Sequence, residues 1–152
     1  MRDLPSEWTD SFEYVSWTFS ELGCFAEESD DQRVPDEVAR VLMTDGCFLL
    51  DIVVNRDGLV NRGETRAFLE GDRFFVSESG GFDLLSGIRK RVFRWYNQAQ
   101  HHETEWQIRA YTPPDVERML TKAGLRVLAV HGNLNGDELG RDSMGMLFAA
   151  QM

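Results

Sequence analysis

The sequence predicts an α/β fold built around one buried strand. Residues 47–54 form a near-continuous apolar run rich in β-branched and large aliphatic side chains, which is typical of a strand covered on both faces. An aromatic, β-branched segment at 12–19 predicts a second strand, and an amphipathic pattern at 30–43 predicts a helix between the two. Strand, helix and strand in this order predict a parallel β–α–β unit with a right-handed crossover.

The predicted helix carries its apolar side chains at helical spacing, at Val34, Val38, Val41 and Leu42. Pro35 lies within this pattern, and proline is tolerated in the first turn of a helix because its missing N–H needs no partner there. We therefore expect the regular helix to begin near Val34 rather than near Glu28. Residues 44–46 are expected to turn the chain into the central strand.

An antiparallel insertion is predicted after the central strand. Residues 57–71 read as an irregular segment, and strand patterns follow at 73–78, 88–96 and 103–111. Short polar connections at 83–87 and 97–102 predict antiparallel pairing between these three strands.

The end of the chain returns to alternating helix and strand. Thr112 can cap a helix, Pro113 suits its first position, and Asp115 completes a pattern that resembles a capping box. Gly124 is placed to end this helix. Strands are then predicted at 125–130 and 144–150, joined by a loop rich in Gly, Asn and Asp.

Composition limits the classes of function. The 152 residues include 16 basic and 26 acidic side chains, for a net charge of −10, which disfavours binding to nucleic acids or to anionic membranes. Cys24 and Cys47 are expected to be buried, reduced thiols. The absence of a leader pattern and of a long apolar run predicts a soluble, cytoplasmic protein.

Several segments resemble, in order, the second half of one enzyme family. The matching stretches are 1–5, 12–15 with Phe19, Gly23 and Phe25, 37–42, 46 with 48–51, and 109–113 with 123–125. The resemblance is to Rossmann-like S-adenosylmethionine-dependent methyltransferases, and it covers nearly the whole chain. It implies a partial methyltransferase sheet made of the family's strands four to seven, within a single domain 1–152. It also implies that the insertion at 58–111 covers the substrate side.

The glycine-rich loop that binds the cofactor in this family has no counterpart in the sequence. Gly80-Gly81 lies in the antiparallel region, and the family's Pro-Gly-Gly before the fifth strand is Thr44-Asp45-Gly46 here. A truncated chain is therefore expected, whose cofactor-binding half is absent.

The resemblance implies cofactor contacts at the start of the chain and at the end of the first strand. Met1 and Arg2 would lie near the adenine of S-adenosylmethionine, and Ser16, Trp17 and Thr18 near its methionine end. Trp17 can equally be a core aromatic of its strand.

Substrate contacts are predicted at Asn55, Arg109 and Tyr111. Asn55 follows the central strand, where turn chemistry also explains it. Arg109 and Tyr111 share one face of a strand by its period of two, and in the resembled family this stretch borders the substrate pocket. Asp51 interrupts the apolar strand, so it is either hydrogen-bonded within the structure or directed at the cleft.

Catalytic roles are assigned to His131 and Tyr111. His131 ends a strand on the cleft side and can act as a general base, although a structural role explains it too. The other two histidines, His101 and His102, are adjacent on an extended chain and point apart, so no metal site is predicted.

A basic cluster marks the insertion, at Arg89, Lys90, Arg91 and Arg94. Glu103 and Glu105 on the neighbouring strand are expected to pair with it, which is the alternative to a substrate-binding role.

The sequence is compatible with two functional hypotheses. The chain is part of a small-molecule methyltransferase that needs a cofactor-binding half, or it is an inactive remnant that assembles through its free edge. The fourth strand of the family pairs with the first, which has no counterpart here, so residues 12–19 would form an open sheet edge. A homodimer through this edge, or a heteromer with a cofactor-binding half, is predicted.

Overall fold

The computed structural model describes residues 2–20, 22–53, 55–56, 65–70, 73–97 and 100–152. After a short 3₁₀ turn at Ser6–Trp8, the elements are β1 Phe12–Ser20, α1 Glu28–Val41, β2 Leu42–Ile52, β3 Thr65–Glu70, β4 Arg73–Phe82, β5 Ile88–Asn97, β6 Gln100–Arg109, α2 Pro113–Lys122, β7 Arg126–His131 and β8 Met146–Gln151. They form two sheets of four strands each, in the orders β1-β2-β8-β7 and β3-β4-β5-β6.

The first sheet contains the predicted β–α–β unit. β1 and β2 are parallel, with Val15 opposite Phe48, and α1 connects them. β8 pairs antiparallel with β2, and β7 antiparallel with β8. β1 has only one neighbour among the described strands, so the prediction of an edge strand at 12–19 is confirmed.

The hydrophobic core lies between this sheet and the two helices. Val38 of α1 and Val116 of α2 are both fully buried, as are Phe48 and Phe148 of the central strands β2 and β8. Every second residue of β2 from Phe48 to Ile52 faces this core, which explains half of the apolar run. Trp17 packs against the same core, so its interpretation as a core aromatic is confirmed.

The predicted start of α1 was wrong. The helix begins at Glu28, and Pro35 lies in its interior. Asp30 and Asp31 occupy the first turn, where a carboxylate interacts favourably with the helix dipole. The helix therefore continues through Pro35, with Val34 and Val38 buried on either side of it. α2 begins as predicted, and Thr112 and Asp115 form the full capping box.

β2 is longer than predicted at its start. It begins at Leu42, and residues 44–46 form an irregularity within the strand, where the pairing with β1 shifts between Leu42 and Cys47. Asp45 adopts a positive φ of 64° there. The tight turn expected before the strand is thus a bulge inside it. Val54, at the predicted end, lies outside the described residues.

The antiparallel insertion has four strands instead of the expected three. β3 lies within the segment 57–71 that was read as irregular, and it pairs with β4 from Thr65 opposite Glu78 to Glu70 opposite Arg73. Residues 57–64 and 71–72 of that segment lie outside the described residues. The predicted hairpin at 83–87 is confirmed, because Ile88 O accepts a hydrogen bond from Asp83 N.

The second sheet carries ion pairs and a stacked ring pair between side chains of neighbouring strands. Lys90 Nζ lies 3.3 Å from Glu105 Oε1, and Arg94 Nε lies 2.6 Å from Glu103 Oε2, so the predicted ion pairing is confirmed. Trp95 stacks on the imidazole of His102 at a centroid distance of 5.2 Å.

The two cysteines are thiols, but both are partly exposed rather than buried as expected. No helix within the described ranges combines the length and the apolar character that crossing a membrane requires.

Candidate functional site

An open pocket of about 650 Å³ lies where β1 and β2 end. Phe19, Asp51 and Val53 line one side, and residues from the loop between β7 and β8 line the other. In open α/β sheets, ligands bind beyond the carboxyl ends of parallel strands. The pocket therefore occupies the position at which this class of fold places its chemistry.

Asp51 lines the pocket on the side formed by the ends of β1 and β2. Its side chain is 7% exposed, and its Oδ2 accepts a hydrogen bond of 2.9 Å from the backbone N–H of Phe19. Both interpretations of Asp51 are thus correct, since the carboxylate is hydrogen-bonded within the fold and also lines the pocket.

Phe19 is held in an unusual conformation by this contact. Its φ is +52°, in the left-handed region that non-glycine residues rarely occupy, and its side chain is 72% exposed. Strain of this kind costs on the order of 1–3 kcal/mol and is concentrated at functional sites. The end of β1 is therefore a strained and exposed wall of the pocket.

Asn55 holds the opposite wall of the pocket, the loop between β7 and β8, in place. It is 2% exposed, its N–H donates to Met144 O at 2.7 Å, and its Nδ2 donates to Ser143 O at 3.3 Å. Ser143 and Met144 both line the pocket. Asn55 thus fixes the loop that closes the pocket, and its own side chain is buried beneath that loop.

A second polar centre surrounds the carboxylate of Asp31, at the start of α1. Asp31 is fully buried, and its Oδ1 accepts a hydrogen bond of 2.9 Å from Gly23 N. Its Oδ2 accepts one of 2.9 Å from Arg109 Nη1 and one of 2.7 Å from the Tyr111 hydroxyl. We call Asp31, Arg109, Tyr111 and Gly23 the Asp31 cluster.

The Asp31 cluster joins the loop after β1 to the end of the second sheet. Arg109 N donates to Gly23 O at 2.8 Å, and Arg109 Nη2 donates to Ala26 O. A β-carbon on Gly23 would lie 2.0 Å from Arg109 O, and Gly23 has a φ of +102°, so only glycine fits here. The insertion is therefore anchored to the loop that follows the first strand.

Burial dominates the electrostatics of this cluster. Burial raises the pKa of the Asp31 carboxyl, while the hydrogen bonds from Tyr111, Gly23 and Arg109 oppose that rise. Burial, together with the neighbouring Asp31, also raises the pKa of the Tyr111 hydroxyl. Tyr111 consequently stays a hydrogen-bond donor at neutral pH.

The structure brings Arg109 and Tyr111 together, but not on one face of a strand as the period-of-two argument assumed. β6 ends at Arg109, and Tyr111 lies beyond it, so that expectation was wrong. The two side chains instead converge because both reach the same carboxylate.

The remaining predicted residues are distributed over both ends of the first sheet. Arg2 pairs with Asp30, and its guanidinium lies 4.7 Å from the Phe25 ring centroid. Ser16 and Thr18 are exposed on β1. Met1 lies outside the described residues.

His131 ends β7 and lies opposite Leu147, which in turn lies opposite Asp51. It therefore shares a cross-strand row with the carboxylate of the pocket. It makes no hydrogen bond to Arg109 or Tyr111 within the described structure, so the two predicted catalytic residues stand at separate centres.

Sequence reasoning missed Asp31 and Phe19. An acidic residue in the first turn of a helix is ordinary, and only the tertiary contact with the insertion gives Asp31 its role. Gly23 did stand out as a loop glycine, although its partner Arg109 is far away in sequence.

The sequence matches no protein-family model and no curated protein. Solved structures do match it in fold. The CcbJ methyltransferase from Streptomyces caelestis has a TM-score of 0.80 at 15% identity, over 98% of this chain and 64% of its own. A S-adenosylmethionine-dependent methyltransferase from Clostridium acetobutylicum has a TM-score of 0.82 at 14% identity, over 99% and 61%.

CalS10 from Micromonospora echinaspora, an amino pentose methyltransferase with bound S-adenosylmethionine, matches at a TM-score of 0.70 and 16% identity, over 99% of this chain and 61% of its own. The chain thus spans about 60% of the length of these enzymes. With its mixed sheet in the order β1-β2-β8-β7 and its antiparallel insertion, the chain has the fold of a partial Rossmann-like, S-adenosylmethionine-dependent methyltransferase.

Proposed function

We propose that this chain forms the acceptor side of a S-adenosylmethionine-dependent methyltransferase that acts on a small molecule. The observation that carries the proposal is the fold match over almost the whole chain, together with a pocket at the carboxyl ends of β1 and β2. Solved neighbours named as amino pentose and sugar N-methyltransferases support a small-molecule acceptor.

Methyl transfer makes modest demands on the side chains of the enzyme. A lone pair of the acceptor forms a bond to the methyl carbon while the carbon–sulfur bond breaks, so the sulfonium becomes a neutral thioether. The acceptor then loses a proton to a base. Catalysis is mainly the alignment of two reactants, which agrees with a site that has a shaped pocket and few reactive groups.

Residue roles follow from this assignment. Ser16, Thr18 and Arg2, with Met1, would face the cofactor, and Trp17 would support them from the core side of β1. Asn55, Arg109 and Tyr111 would shape the acceptor side. Asn55 and the two members of the Asp31 cluster would act by holding the pocket loop and the insertion in place, because their polar groups are engaged within the fold. His131, which ends β7 next to the pocket-lining Gly132, would accept the proton.

A cofactor-binding half is the partner that this proposal requires. It would supply the glycine-rich strand–turn–helix that these 152 residues do not contain. Co-expression of the chain with the coding sequence that flanks it tests the requirement. We expect a complex that transfers a radiolabelled methyl group from S-adenosylmethionine to a small acceptor. Equal transfer by the 152 residues alone would contradict it.

The second candidate function is an inactive assembly subunit, which is favoured by the edge position of β1. This strand exposes Tyr14 and Phe19 and has an unpaired edge among the described strands. Joining two copies through β1 would give an eight-stranded sheet with a two-fold axis. Light scattering distinguishes the cases, and Val15→Pro should dissociate a dimer of this kind. A monomer at micromolar concentration would eliminate it.

A further inference from the structure

The basic cluster of the insertion divides between the two faces of the second sheet. Successive side chains of a strand point to opposite faces, so Lys90 and Arg94 share one face of β5. This face also carries both carboxylates of β6, and each of the two cations makes an ion pair there. Arg89 and Arg91 share the other face, to which β6 contributes no carboxylate. Ion pairing between β5 and β6 therefore accounts for half of the cluster.

Arg91 is half-buried, and its guanidinium has no counter-charge among the described residues. Its Nε is shielded from water and makes no hydrogen bond within them. Arg89, by contrast, has an interaction partner within the protein. Buried polar groups in folded proteins nearly always have a partner, so an unsatisfied one calls for an explanation such as a missing ion. For a guanidinium that ion is an anion, and shielding from water strengthens the attraction between the two.

Two aromatic side chains neighbour Arg91 on the same face of the sheet. Trp106 lies directly opposite it on β6, and Phe93 lies two residues further along β5. Side chains in these positions have β-carbons about 5 Å apart across the strands and about 7 Å apart along one strand. Phe93 is 36% exposed and Trp106 is half-buried, so both rings retain accessible surface. An anion attached to a flat ring would place its charge on Arg91 and its ring against Trp106 or Phe93.

We propose that Arg91, Phe93 and Trp106, which we call the Arg91 face, bind a small aromatic carboxylate. The carboxylate accepts parallel N–H bonds from the guanidinium, a geometry that its planar donors favour. One guanidinium without a counter-charge matches one negative charge, which favours a carboxylate over a doubly charged phosphate. None of the described residues that line the pocket at the ends of β1 and β2 belongs to β5 or β6. The Arg91 face is therefore a second site, and the inference is independent of methyl transfer.

Nuclear magnetic resonance of the intact chain tests the proposal with three probes. At neutral pH and about 0.15 M salt, benzoate should shift the indole N–H signal of Trp106 saturably, with a Kd of about 1 mM or tighter. Benzamide has the same shape without the charge, and it should bind at least about tenfold more weakly. Inorganic phosphate has charge without a ring, and it should also bind at least about tenfold more weakly. The signal of Trp8, in the 3₁₀ turn of the first ten residues, should stay in place.

Arginine variants locate the binding. Arg91→Met should weaken benzoate binding by about tenfold or more, and Arg91→Lys should recover part of the loss, because it restores the charge without the planar donors. Arg126→Met is the control, since it removes the same charge from an exposed position on β7, and it should change the affinity by less than about twofold. Circular dichroism confirms that each variant is folded. The proposal is overturned by the absence of a saturable shift, by equal binding of benzamide or phosphate, or by unchanged affinity in Arg91→Met.

Discussion

The two sheets of this protein are stabilised by different interactions. The sheet β1-β2-β8-β7 packs its central strands against two helices, and its core includes Phe48 and Phe148 at 2% and 1% exposure. Of the described side chains in β3–β6, only Arg89 and Ile108 are buried. The first sheet therefore gains its stability from apolar burial, at about 25 cal/mol per Å². The second depends on cross-strand pairs and on its attachment to the first.

The Asp31 cluster is one polar attachment between the two, and Arg56, after β2, adds a hydrogen bond of 2.9 Å to Leu84 O in the hairpin of the second sheet. The insertion is tied to the helical layer, because the fully buried carboxylate of Asp31 in α1 takes its counter-charge from Arg109 at the end of β6. Substitutions in the core of the first sheet and in the Asp31 cluster test whether the two sheets are stabilised by different interactions.

The largest effect is expected in the core. Phe148→Ala should lower the free energy of unfolding by about 3–5 kcal/mol, because it deletes a fully buried ring in a central strand. Urea denaturation measures the change. Phe93→Ala is the matched control in the second sheet, where the ring is 36% exposed, and it should cost about 1 kcal/mol or less. Similar losses for both would refute the contrast.

The second-largest loss of stability is expected when the Asp31 cluster is disrupted. Arg109→Met leaves the Asp31 carboxylate buried without its cation, and we expect a loss of about 3 kcal/mol in the free energy of unfolding. Arg91→Met is the control, since the buried Nε of Arg91 makes no hydrogen bond within the described structure. Its replacement should be close to neutral. A neutral Arg109→Met would show that the anchor contributes nothing.

Tyr111→Phe should have a smaller effect, about 1.5 kcal/mol, because it removes one hydrogen bond to a charged acceptor and keeps the ring. The loop after β1 should also loosen, since Gly23 shares the same carboxylate. The rate at which Cys24 reacts with a thiol reagent reports this loosening. Cys47, in β2, is the internal control, and an unchanged ratio of the two rates would contradict the prediction.

Lowering the pH should weaken the contact that Glu37 of α1 makes with Leu4 and Arg40. Hydrogen bonds from Arg40 and from Leu4 N lower the pKa of Glu37 to about 2, from an ordinary value of 4.5. The stabilisation is complete above the unfolded value and is lost as the pH falls from 4.5 towards 2. Glu37→Gln should flatten stability over that range. Glu117→Gln, the same substitution on the exposed face of α2, is the control for the loss of one negative charge.

The smallest effect is expected for the exposed pairs of the second sheet. Glu103→Gln removes one partner of Arg94 in a pair whose carboxylate is half exposed, so the change should stay within about 0.5 kcal/mol and shrink further in salt. Thermal unfolding at low and high salt measures it. A loss comparable to that of Arg109→Met would mean that surface pairs, rather than the anchor, stabilise this sheet.

The sequence predicted those elements whose signals are local. The apolar run of β2, the aromatic strand β1 and the capping box at Thr112 each carry their pattern within a few residues, and all three are confirmed. β3 was missed because Thr65–Glu70 has a short, mixed pattern without a clear period. The predicted start of α1 is too late because Pro35 is taken there as a mark of the first turn, whereas the helix accommodates it in its interior.

The site was harder to predict, because its contacts join distant residues. Asp31 meets Arg109 and Tyr111 across some 80 positions, at sequence separations of 78 and 80. The hydrogen bond from Phe19 N to Asp51 also depends on the register of two strands. The described residues that the resemblance assigned to the site are not among those that line the pocket, and only the geometry shows which side chains face it and which ones support it.

The central claim is that these residues form the acceptor side of a methyltransferase and depend on a second half for the cofactor. Calorimetric titration of the 152-residue chain with S-adenosylmethionine tests that claim most directly. We predict no binding tighter than about 1 mM, equivalent to about −4 kcal/mol. Micromolar binding by the chain alone would contradict it.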